Sequence, residues 1–242
     1  MEKRKALSII SETRRNYNII AKEWNISRSI PSLIKIKLLR NIAKGFSVLD
    51  IGCGNGLMAD EAIKRGGRYF GSDISVKLIM EAKKKNVVNI KNKKAKFFVA
   101  DAVDLPFKKN QFDFIFSFAV IHHIPSVELR EKFLKEIFRV LKTGSKAVIT
   151  SWNLLEKWAC KKYDIKNQLK KISDGYDSGD VCVPWKGTRG KEVMRYLHYF
   201  TADELKSLAK SAGFKKIKIE YYDRFGKKKK NSETIVLSLM KI

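Results

Sequence analysis

A glycine-rich segment at residues 48–56, with the sequence VLDIGCGNG, limits the possible folds of this chain more than any other stretch. A short apolar run there ends at Asp50 and is followed by three alternating glycines, Gly52, Gly54 and Gly56. The run predicts a buried parallel strand, and the glycines predict a tight turn into a helix. Glycines allow unusual backbone dihedrals and let a ligand lie directly against the backbone. The Asp50 carboxylate would add an acceptor for a cationic group beside the N–H donors of the helix.

Two other interpretations of this segment have to be weighed. One is a plain strand–helix turn without a ligand. The other is a dinucleotide-binding loop with the pattern G-x-G-x-x-G. In that pattern the third glycine would stand one residue later, where this chain has Leu57.

Polar side chains also stand where later apolar runs end. Runs at 69–73, 96–100 and 112–117 are followed or ended by Asp73, by Asp101 with Ala102, and by Ser117. Helices are expected between them at 57–65, 75–86 and 126–142, with a fifth strand at 146–152. This rhythm predicts a doubly wound, Rossmann-like parallel α/β sheet, whose ligands lie outside the carboxyl ends of the strands. Asp73 lies roughly 20 residues beyond the glycines, where an acid can accept hydrogen bonds from ribose hydroxyls.

The segments before and after this pattern of alternating strands and helices do not follow it. Residues 1–45 predict a helical extension, in which the basic residues 1–16 are frayed or form a first helix and two helices separated at Pro31 follow. Residues 153–200 break the rhythm, and a connection of that length predicts a substrate-binding insertion. A helix at 202–212 and strands at 215–222 and 234–240 complete a single domain over residues 1–242.

The charge indicates a polyanionic partner. The chain has 51 Lys and Arg against 25 Asp and Glu, a net charge of +26, which favours RNA through phosphate contacts. A compositional bias toward Lys, Ile and Asn is the alternative explanation. Three scattered cysteines without a C-x-x-C pair argue against a disulfide framework or a metal site and favour a reducing, cytoplasmic location. No apolar run reaches the roughly 18 residues of a membrane span, so no membrane partner is expected.

The glycine segment with Asp50 in front of it resembles motif I of the class I S-adenosylmethionine (SAM) methyltransferases, and the resemblance covers most of the chain. It implies a seven-stranded sheet, mostly parallel with a C-terminal antiparallel hairpin, and SAM as the cofactor. By this resemblance Asp50 and the backbone of Gly52, Gly54 and Gly56 would hold the methionine part. Asp73 would hold the ribose. Asp101 and Ala102 would line the adenine edge, and Ser117 would form the floor.

Further segments resemble the tRNA wobble-uridine methyltransferases that esterify a carboxymethyl group, a family shared with the methyltransferase domain of an AlkB homologue. These segments are residues 17–28, 120–125, 180–185 and 195–200. A carboxymethyl group is already an anion at neutral pH, since its pKa lies about three units below 7. Its methylation needs alignment and no general base. The sequence after the fourth strand, Ser117-Phe-Ala-Val, lacks the Asn/Asp-Pro-Pro-aromatic motif of enzymes that methylate base amines.

The resemblance and this chemistry name two groups of candidates. The substrate anion would be held by Arg195, Arg28, and His122 or His123. The extruded base would be bound by Trp185 and Tyr196, with Asp180 and His198 as further substrate-binding residues. Each of these residues also fits a purely structural place, such as a core aromatic or a surface arginine.

The implied partners are tRNA and, as in eukaryotic members of the family, a small zinc-binding activator subunit. The sequence leaves open whether this chain needs one. Two rival functions remain at this point: a SAM-dependent methyltransferase of small molecules, and an RNA-binding chain that keeps the fold but no longer binds SAM.

Overall fold

The computed structural model describes residues 1–171, 175–187 and 190–242. The chain begins with a long helix, α1 (Lys3–Ser27), and a short one, α2 (Leu33–Leu38). The expectation that residues 1–16 are frayed or form a separate helix is wrong, because α1 runs unbroken past Tyr17. Packing explains its length: Ala6, Ile9 and Ile20 are buried, and Asn16 Nδ2 donates a 2.7 Å hydrogen bond to the carbonyl of Met194.

The described strands form a large sheet and a small one. In chain order they are β1 (Ser47–Ile51), β2 (Arg68–Asp73), β3 (Ala95–Val99), β4 (Phe112–Phe118), β5 (Leu141–Trp152), β6 (Asp180–Lys186), β7 (Glu192–His198), β8 (Lys216–Tyr222) and β9 (Thr234–Met240). The large sheet has seven strands in the order β3-β2-β1-β4-β5-β9-β8. Strands β1 to β5 are parallel, and β9 is antiparallel to both β5 and β8. The predicted fold class is therefore confirmed.

Helices lie between the strands as expected. They are α3 (Ala59–Lys64), α4 (Val76–Lys85), α5 (Val87–Lys91), α6 (Val127–Val140), α7 (Lys157–Lys162), α8 (Ile165–Lys170) and α9 (Ala202–Ser211). Helix α5 lies between the predicted helix at 75–86 and the predicted strand at 96–100, where the sequence predicted no further element. Hydroxyl groups cap three of the longer helices: Ser75, Ser126 and Thr201 accept hydrogen bonds from the first turns of α4, α6 and α9.

Apolar side chains cover both faces of the large sheet. In β4, Phe114 and Phe116 belong to the core beneath α3 and α4, whereas Ile115 belongs to the core beneath α6 and α9. This alternation follows from the two-residue period of a strand. Because both faces are buried, ligands can reach the sheet only at its ends.

The stretch 153–200 carries α7, α8 and the small antiparallel sheet β6–β7. Leu154, Ile165, Val181 and Leu197 form a core of its own. Strand β7 lies between α1 and the 3₁₀ turn Ile121–His123, and it contacts both. The insertion thus reaches the carboxyl end of the large sheet. None of the described helices combines the length and the apolar character that a membrane span needs.

The glycine loop after β1 generates a stability prediction. Gly52 has φ +73°, and a Cβ there would overlap the side chain of Val120. Gly54 also has a positive φ, +55°, but its Cβ would make only an ordinary contact of 3.6 Å with Trp24 Nε1. We expect Gly54→Ala to cost about 1–2 kcal/mol of unfolding free energy from backbone strain alone. Gly52→Ala should cost about 1–3 kcal/mol more, because it also overpacks the loop.

Urea denaturation of the two variants measures this difference, and a double-mutant cycle isolates its cause. Gly52→Ala combined with Val120→Ala should recover most of the extra loss. Equal losses for Gly52→Ala and Gly54→Ala would contradict the steric explanation.

Candidate active site

A cavity of about 360 Å³ opens at the carboxyl ends of the central strands. Its walls come from α1, from the loops after β1, β2, β3 and β4, and from β7. The predicted site residues that line it are Arg28, Asp50, Gly52, Gly54, Asp73, Asp101, Ala102, His122, His123 and Arg195. The fold therefore brings most of the predicted cofactor residues and all four predicted anion-holding residues into one space.

The carboxylate of Asp73 is fixed by backbone donors from two loops. Gly54 N donates to Oδ2 and Ser75 N donates to Oδ1, each at 2.9 Å. Each carboxylate oxygen has a second lone pair that can still accept a hydrogen bond. Asp73 can therefore receive a ribose diol while it holds the glycine loop in shape.

Asp50 is buried, with only 3% of its surface exposed. Tyr69 donates a 2.7 Å hydrogen bond to its Oδ2. Burial raises the pKa of Asp50 to about 7, against the opposing effects of the Tyr69 hydrogen bond and the Lys35 charge. A cation placed beside this carboxylate would stabilise its ionised form. The site therefore fits a ligand that carries positive charge next to the glycine loop, as SAM does.

Two predicted cofactor residues lie behind the cavity wall. The position of a Cβ at Gly56 is filled by Asn86, Phe97 and Ala82. Ser117 is fully buried, and its Oγ donates a 2.9 Å hydrogen bond to the carbonyl of Ile51. Neither residue is among those that line the cavity in the described part of the chain. Both support the glycine loop from below.

Helix α1 supplies a wall that the sequence did not assign to the site. Tyr17 and Trp24 line the cavity, and Trp24 Nε1 lies next to Gly54. Asn55 Nδ2 donates to Asn25 Oδ1 at 2.8 Å, which fastens the helix to the glycine loop. Asn18 Oδ1 accepts a 2.8 Å hydrogen bond from Ser75 Oγ, which fastens it to the loop after β2. The spacing of Tyr17, Ile20 and Trp24 is typical of a helix. No local sequence pattern shows that this helix forms a wall of the cavity.

Two arginines face the cavity without a carboxylate partner among the described residues. Arg195 is 4% exposed, its guanidinium lies 5.2 Å from the ring of Trp152, and its Nε has no hydrogen-bond partner within the part of the chain that the structure describes. Arg28 has an exposed side chain that lies 4.8 Å from the ring of Trp24, and partial desolvation followed by the charge of Arg195 lowers its pKa. Ion pairs within the described residues use other arginines, namely Arg65, Arg130, Arg139 and Arg224. The buried, uncompensated cation of Arg195, with the exposed Arg28 lining the same cavity, favours an anionic ligand.

His122 adds a neutral donor to this side of the cavity. The backbone N–H of Trp152 donates to its Nδ1 at 3.3 Å, so the proton of the neutral ring is on Nε2. This Nε2 is buried and has no hydrogen-bond partner among the residues that the structure describes. Burial, followed by the charges of His123 and Arg195, holds the pKa of His122 well below its usual range. His122 therefore offers an unsatisfied N–H donor without adding charge.

His123 has a different role, because both of its nitrogens are used by the protein. Its Nδ1 donates to the carbonyl of Tyr196 at 3.0 Å, and its Nε2 accepts from the hydroxyl of Tyr17 at 2.9 Å. Burial, followed by the Arg195 charge, lowers the pKa of His123 to about 3. A neutral ring with both nitrogens bonded cannot hold a substrate anion. It positions Tyr17 instead.

The predicted substrate residues of the insertion lie outside the cavity. Because side chains alternate along β7, Tyr196 and His198 face away from Arg195. Tyr196 Oη and His198 Nδ1 meet Asp180 Oδ1 at 2.6 and 2.7 Å, beside the fully buried Arg130. This network holds β7 in place and thereby positions Arg195.

Trp185 also stands back from the cavity. It is half-buried, and its ring centroid lies 6.2 Å from that of Trp24, which does line the cavity. Trp185 therefore supports Trp24 and does not itself line the cavity in the described part of the chain.

The raised pKa of Asp50 generates a prediction about SAM affinity. Below pH 7 Asp50 is protonated, and it must lose this proton to face a cation. Affinity for SAM should therefore fall between pH 7 and pH 5.5, with a limiting slope of about tenfold per pH unit. Calorimetric titrations across this range measure the slope.

The variant Asp50→Asn should bind SAM weakly and lose this slope, whereas Asp101→Asn should keep it. A wild-type affinity that does not change with pH in this range would contradict the assigned role of Asp50.

Comparisons with known proteins agree with this geometry. A profile of a methyltransferase domain family matches residues 49–149. A tRNA (carboxymethyluridine(34)-5-O)-methyltransferase of Schizosaccharomyces pombe is 29% identical over 216 residues, which cover 81% of this chain and 86% of that protein. The Xenopus tropicalis protein of the same name, alkbh8, is 32% identical over 67% of this chain, but the match spans only 23% of its own length. A probable tocopherol O-methyltransferase of rice is 31% identical over 67% of this chain and 45% of that protein.

Solved structures show the same architecture. A SAM-dependent methyltransferase of Methanosarcina mazei has a TM-score of 0.66 and 26% identity, and the match covers 86% of this chain and 97% of that one. A methyltransferase of Haloferax volcanii, solved in complex with the activator Trm112, has the same TM-score, 0.66, at 16% identity, and the match covers 94% of this chain and 96% of the other. The sheet order, the glycine loop with its two acids, and these matches lead to one conclusion. The chain is a class I SAM-dependent methyltransferase.

Proposed function

We propose that this enzyme methylates the carboxylate of a carboxymethyl group on the wobble uridine of tRNA. The observation that carries the proposal is Arg195, a buried arginine that lines the cavity without a carboxylate partner among the described residues. Arg28, whose side chain is exposed, lines the same cavity and adds a second positive charge. The unpartnered Nε2–H of His122 adds a third donor. Together they suit a single carboxylate. The names of the S. pombe and X. tropicalis relatives agree with this acceptor.

The cavity is lined by side chains of both charges. Asp50 and Asp73 lie at the glycine loop, whereas Arg28 directly follows α1 and Arg195 lies on β7. When bound, SAM supplies a methyl group on a cationic sulfur. The acids would favour this cation on their side, and the arginines would favour the anionic acceptor on theirs. The residues thus orient two oppositely charged reactants toward each other, which is the main task when the nucleophile is already ionised.

Neither histidine of the cavity is placed as a general base. His123 has both nitrogens bonded and a pKa lowered to about 3, and His122 accepts at Nδ1 from Trp152. Neutral histidines add no positive charge that would repel the cofactor. This arrangement fits a carboxylate acceptor, which has no proton to remove, better than an alcohol.

A small-molecule acceptor is the second candidate, because the probable tocopherol methyltransferase of rice matches at 31% identity. Tocopherol carries no carboxylate, so an enzyme of that kind would leave both arginines without a partner. The surface charge also favours RNA. We expect a cytoplasmic location from the proposed substrate.

We also propose that an activator subunit docks on the edge strand β3. This strand ends the large sheet, so one row of its backbone groups has no neighbouring strand. Val99 on β3 is exposed, as are Val87 and Val88 on the adjacent α5. A partner that adds a strand here would cover an apolar surface and complete the sheet. The activator complex of the H. volcanii neighbour supports a partner of this kind.

The first prediction of this proposal concerns Arg195. Arg195→Gln should lower kcat/KM for methyl transfer to tRNA by about 10²–10³-fold, since a preorganised charged donor is lost. Its affinity for SAM should stay within twofold. The assay uses labelled SAM, and mild alkali should release the label as expected for a methyl ester. The exposed Arg14, which lies on the outside of α1, gives the matched control Arg14→Gln.

Three results of this assay would count against the proposal. A label on tRNA that survives alkali would exclude an ester. Full activity of Arg195→Gln would exclude the anion site. No label on tRNA despite bound SAM would favour the small-molecule acceptor.

The second prediction concerns the activator surface. Val88→Lys should weaken co-purification with a co-expressed zinc-binding activator, because it places a charge in the apolar patch. Val127→Lys, the same substitution at an exposed valine on α6, should have no effect on co-purification. Size-exclusion chromatography of the co-expressed pair measures the complex. Equal behaviour of the two variants would place the activator elsewhere.

A further inference from the structure

Two exposed aromatic side chains each have a cation beside the ring. Trp158 on α7 is 62% exposed, and Lys162 Nζ lies 4.6 Å from its ring centroid. Phe225, in the turn between β8 and β9, is 64% exposed, and the guanidinium of Arg224 lies 5.6 Å from its ring centroid. An exposed aromatic face with a cation beside it is an arrangement that can stack on a base and attract its phosphate.

Both aromatic groups connect to the mouth of the cavity. Arg224, next to Phe225, lines the cavity together with Glu233 and Thr234. On the other side, Tyr163 lies 6.1 Å from Trp158 between ring centroids. Tyr163 packs on the same small core as Trp152, which lines the cavity. Tyr163 also lies close enough to Arg28 for its phenol to act on the pKa of that group.

The chemistry of the two groups suits unpaired nucleotides. An aromatic face stacks on a base of any sequence, and a neighbouring cation reaches its phosphate. A base inside a duplex offers no free face for such stacking. Exposed lysines surround both rings: Lys157 and Lys161 flank Trp158, and residues 227–230 are four lysines that follow Phe225. A protein partner would gain little from this density of like charge, which favours a polyanion.

We propose that Trp158 and Phe225 are stacking platforms for the unpaired nucleotides on either side of the acceptor uridine. This inference rests on the proposed function and specifies how its RNA is held. It also replaces the sequence-based expectation for Trp185 and Tyr196, which are half-buried and buried and do not line the cavity within the described residues. The acceptor base enters the cavity, and its neighbours lie on the rim.

The test compares two RNAs of equal length and charge: an anticodon stem-loop and a fully paired hairpin closed by a minimal loop. Binding of each to the full chain is measured by fluorescence anisotropy without turnover. Trp158→Ala should weaken stem-loop binding by about tenfold and change hairpin binding less than twofold, because stacking needs unpaired bases. Phe225→Ala should act in the same direction. Trp158→Phe should retain most of the affinity.

Lysine variants serve as matched controls for charge. Lys162→Ala should weaken both RNAs and reduce the salt dependence of binding by about one phosphate contact. Lys135→Ala, at an exposed lysine on α6 that pairs with Glu131, should change neither. The rise in melting temperature on adding SAM should be the same in all variants, which shows that the fold and the cofactor site are intact.

Several results would overturn the inference. These are equal weakening of both RNAs by Trp158→Ala, no weakening of either, or no binding of the stem-loop by the wild type. Methyl-ester formation on tRNA with unchanged stem-loop affinity in Trp158→Ala would discard the platforms and keep the proposed function. Stem-loop-selective weakening without ester formation would keep the platforms and discard the proposed function.

Discussion

The cavity depends on the close packing of the loop after β1 against the segment after β4. These two strands are neighbours in the sheet, with Asp50 opposite Phe116, so their carboxyl ends emerge side by side. At Gly52 the two segments approach so closely that no Cβ fits against Val120. Val120 directly precedes the 3₁₀ turn that carries His122 and His123. One steric contact therefore fixes the distance between the cofactor side and the acceptor side of the site.

The free site contains buried charged groups whose burial is unfavourable. Ligands of opposite charge would reduce this cost. Asp50 is buried with its pKa raised to about 7, and Arg195 is buried without a carboxylate in reach among the described residues. Each arrangement lowers the stability of the free protein. Buried charges of opposite sign in one cavity are a poor way to stabilise a fold and an effective way to orient two charged reactants. The hydrogen bonds of His123 add to this by keeping Tyr17 in one orientation.

The parts of the fold that follow from local pattern were predictable. Strands β1, β2 and β4 are apolar runs that end in acids or small polar residues, and the glycines mark the turn that follows β1. The full length of α1 was not predictable, because its first turns are basic and only contacts with distant segments, such as that of Asn16 with Met194, explain why they are ordered. Long-range contacts of this kind leave no periodic signal.

Sheet topology predicted the cofactor acids, whereas Arg28, Arg195 and the two histidines were predicted from the family resemblance. Asp50, Asp73 and Asp101 end or follow strands, so their position at one sheet edge follows from topology. For β7 the sequence showed a cluster of polar and aromatic residues without showing a strand. Because the faces of a strand alternate, Arg195 points into the cavity, whereas Tyr196 and His198 join the buried network around Arg130. Exposure of Trp158 and Phe225 depends on what the rest of the chain leaves uncovered, and no local pattern reveals that.

The residues that line the cavity come from two parts of the chain: the middle segment and the segments on either side of it. The segment matched by the methyltransferase domain profile, residues 49–149, holds Asp50, Asp73 and both histidines. Three other lining residues lie outside it: Tyr17 on α1, Arg28 directly after α1, and Arg195 on β7. Substitutions in the two flanks can therefore exchange one acceptor for another while the methyl-donor half stays unchanged. Enzymes with new substrates can therefore evolve through changes before and after residues 49–149, while this middle segment keeps its sequence.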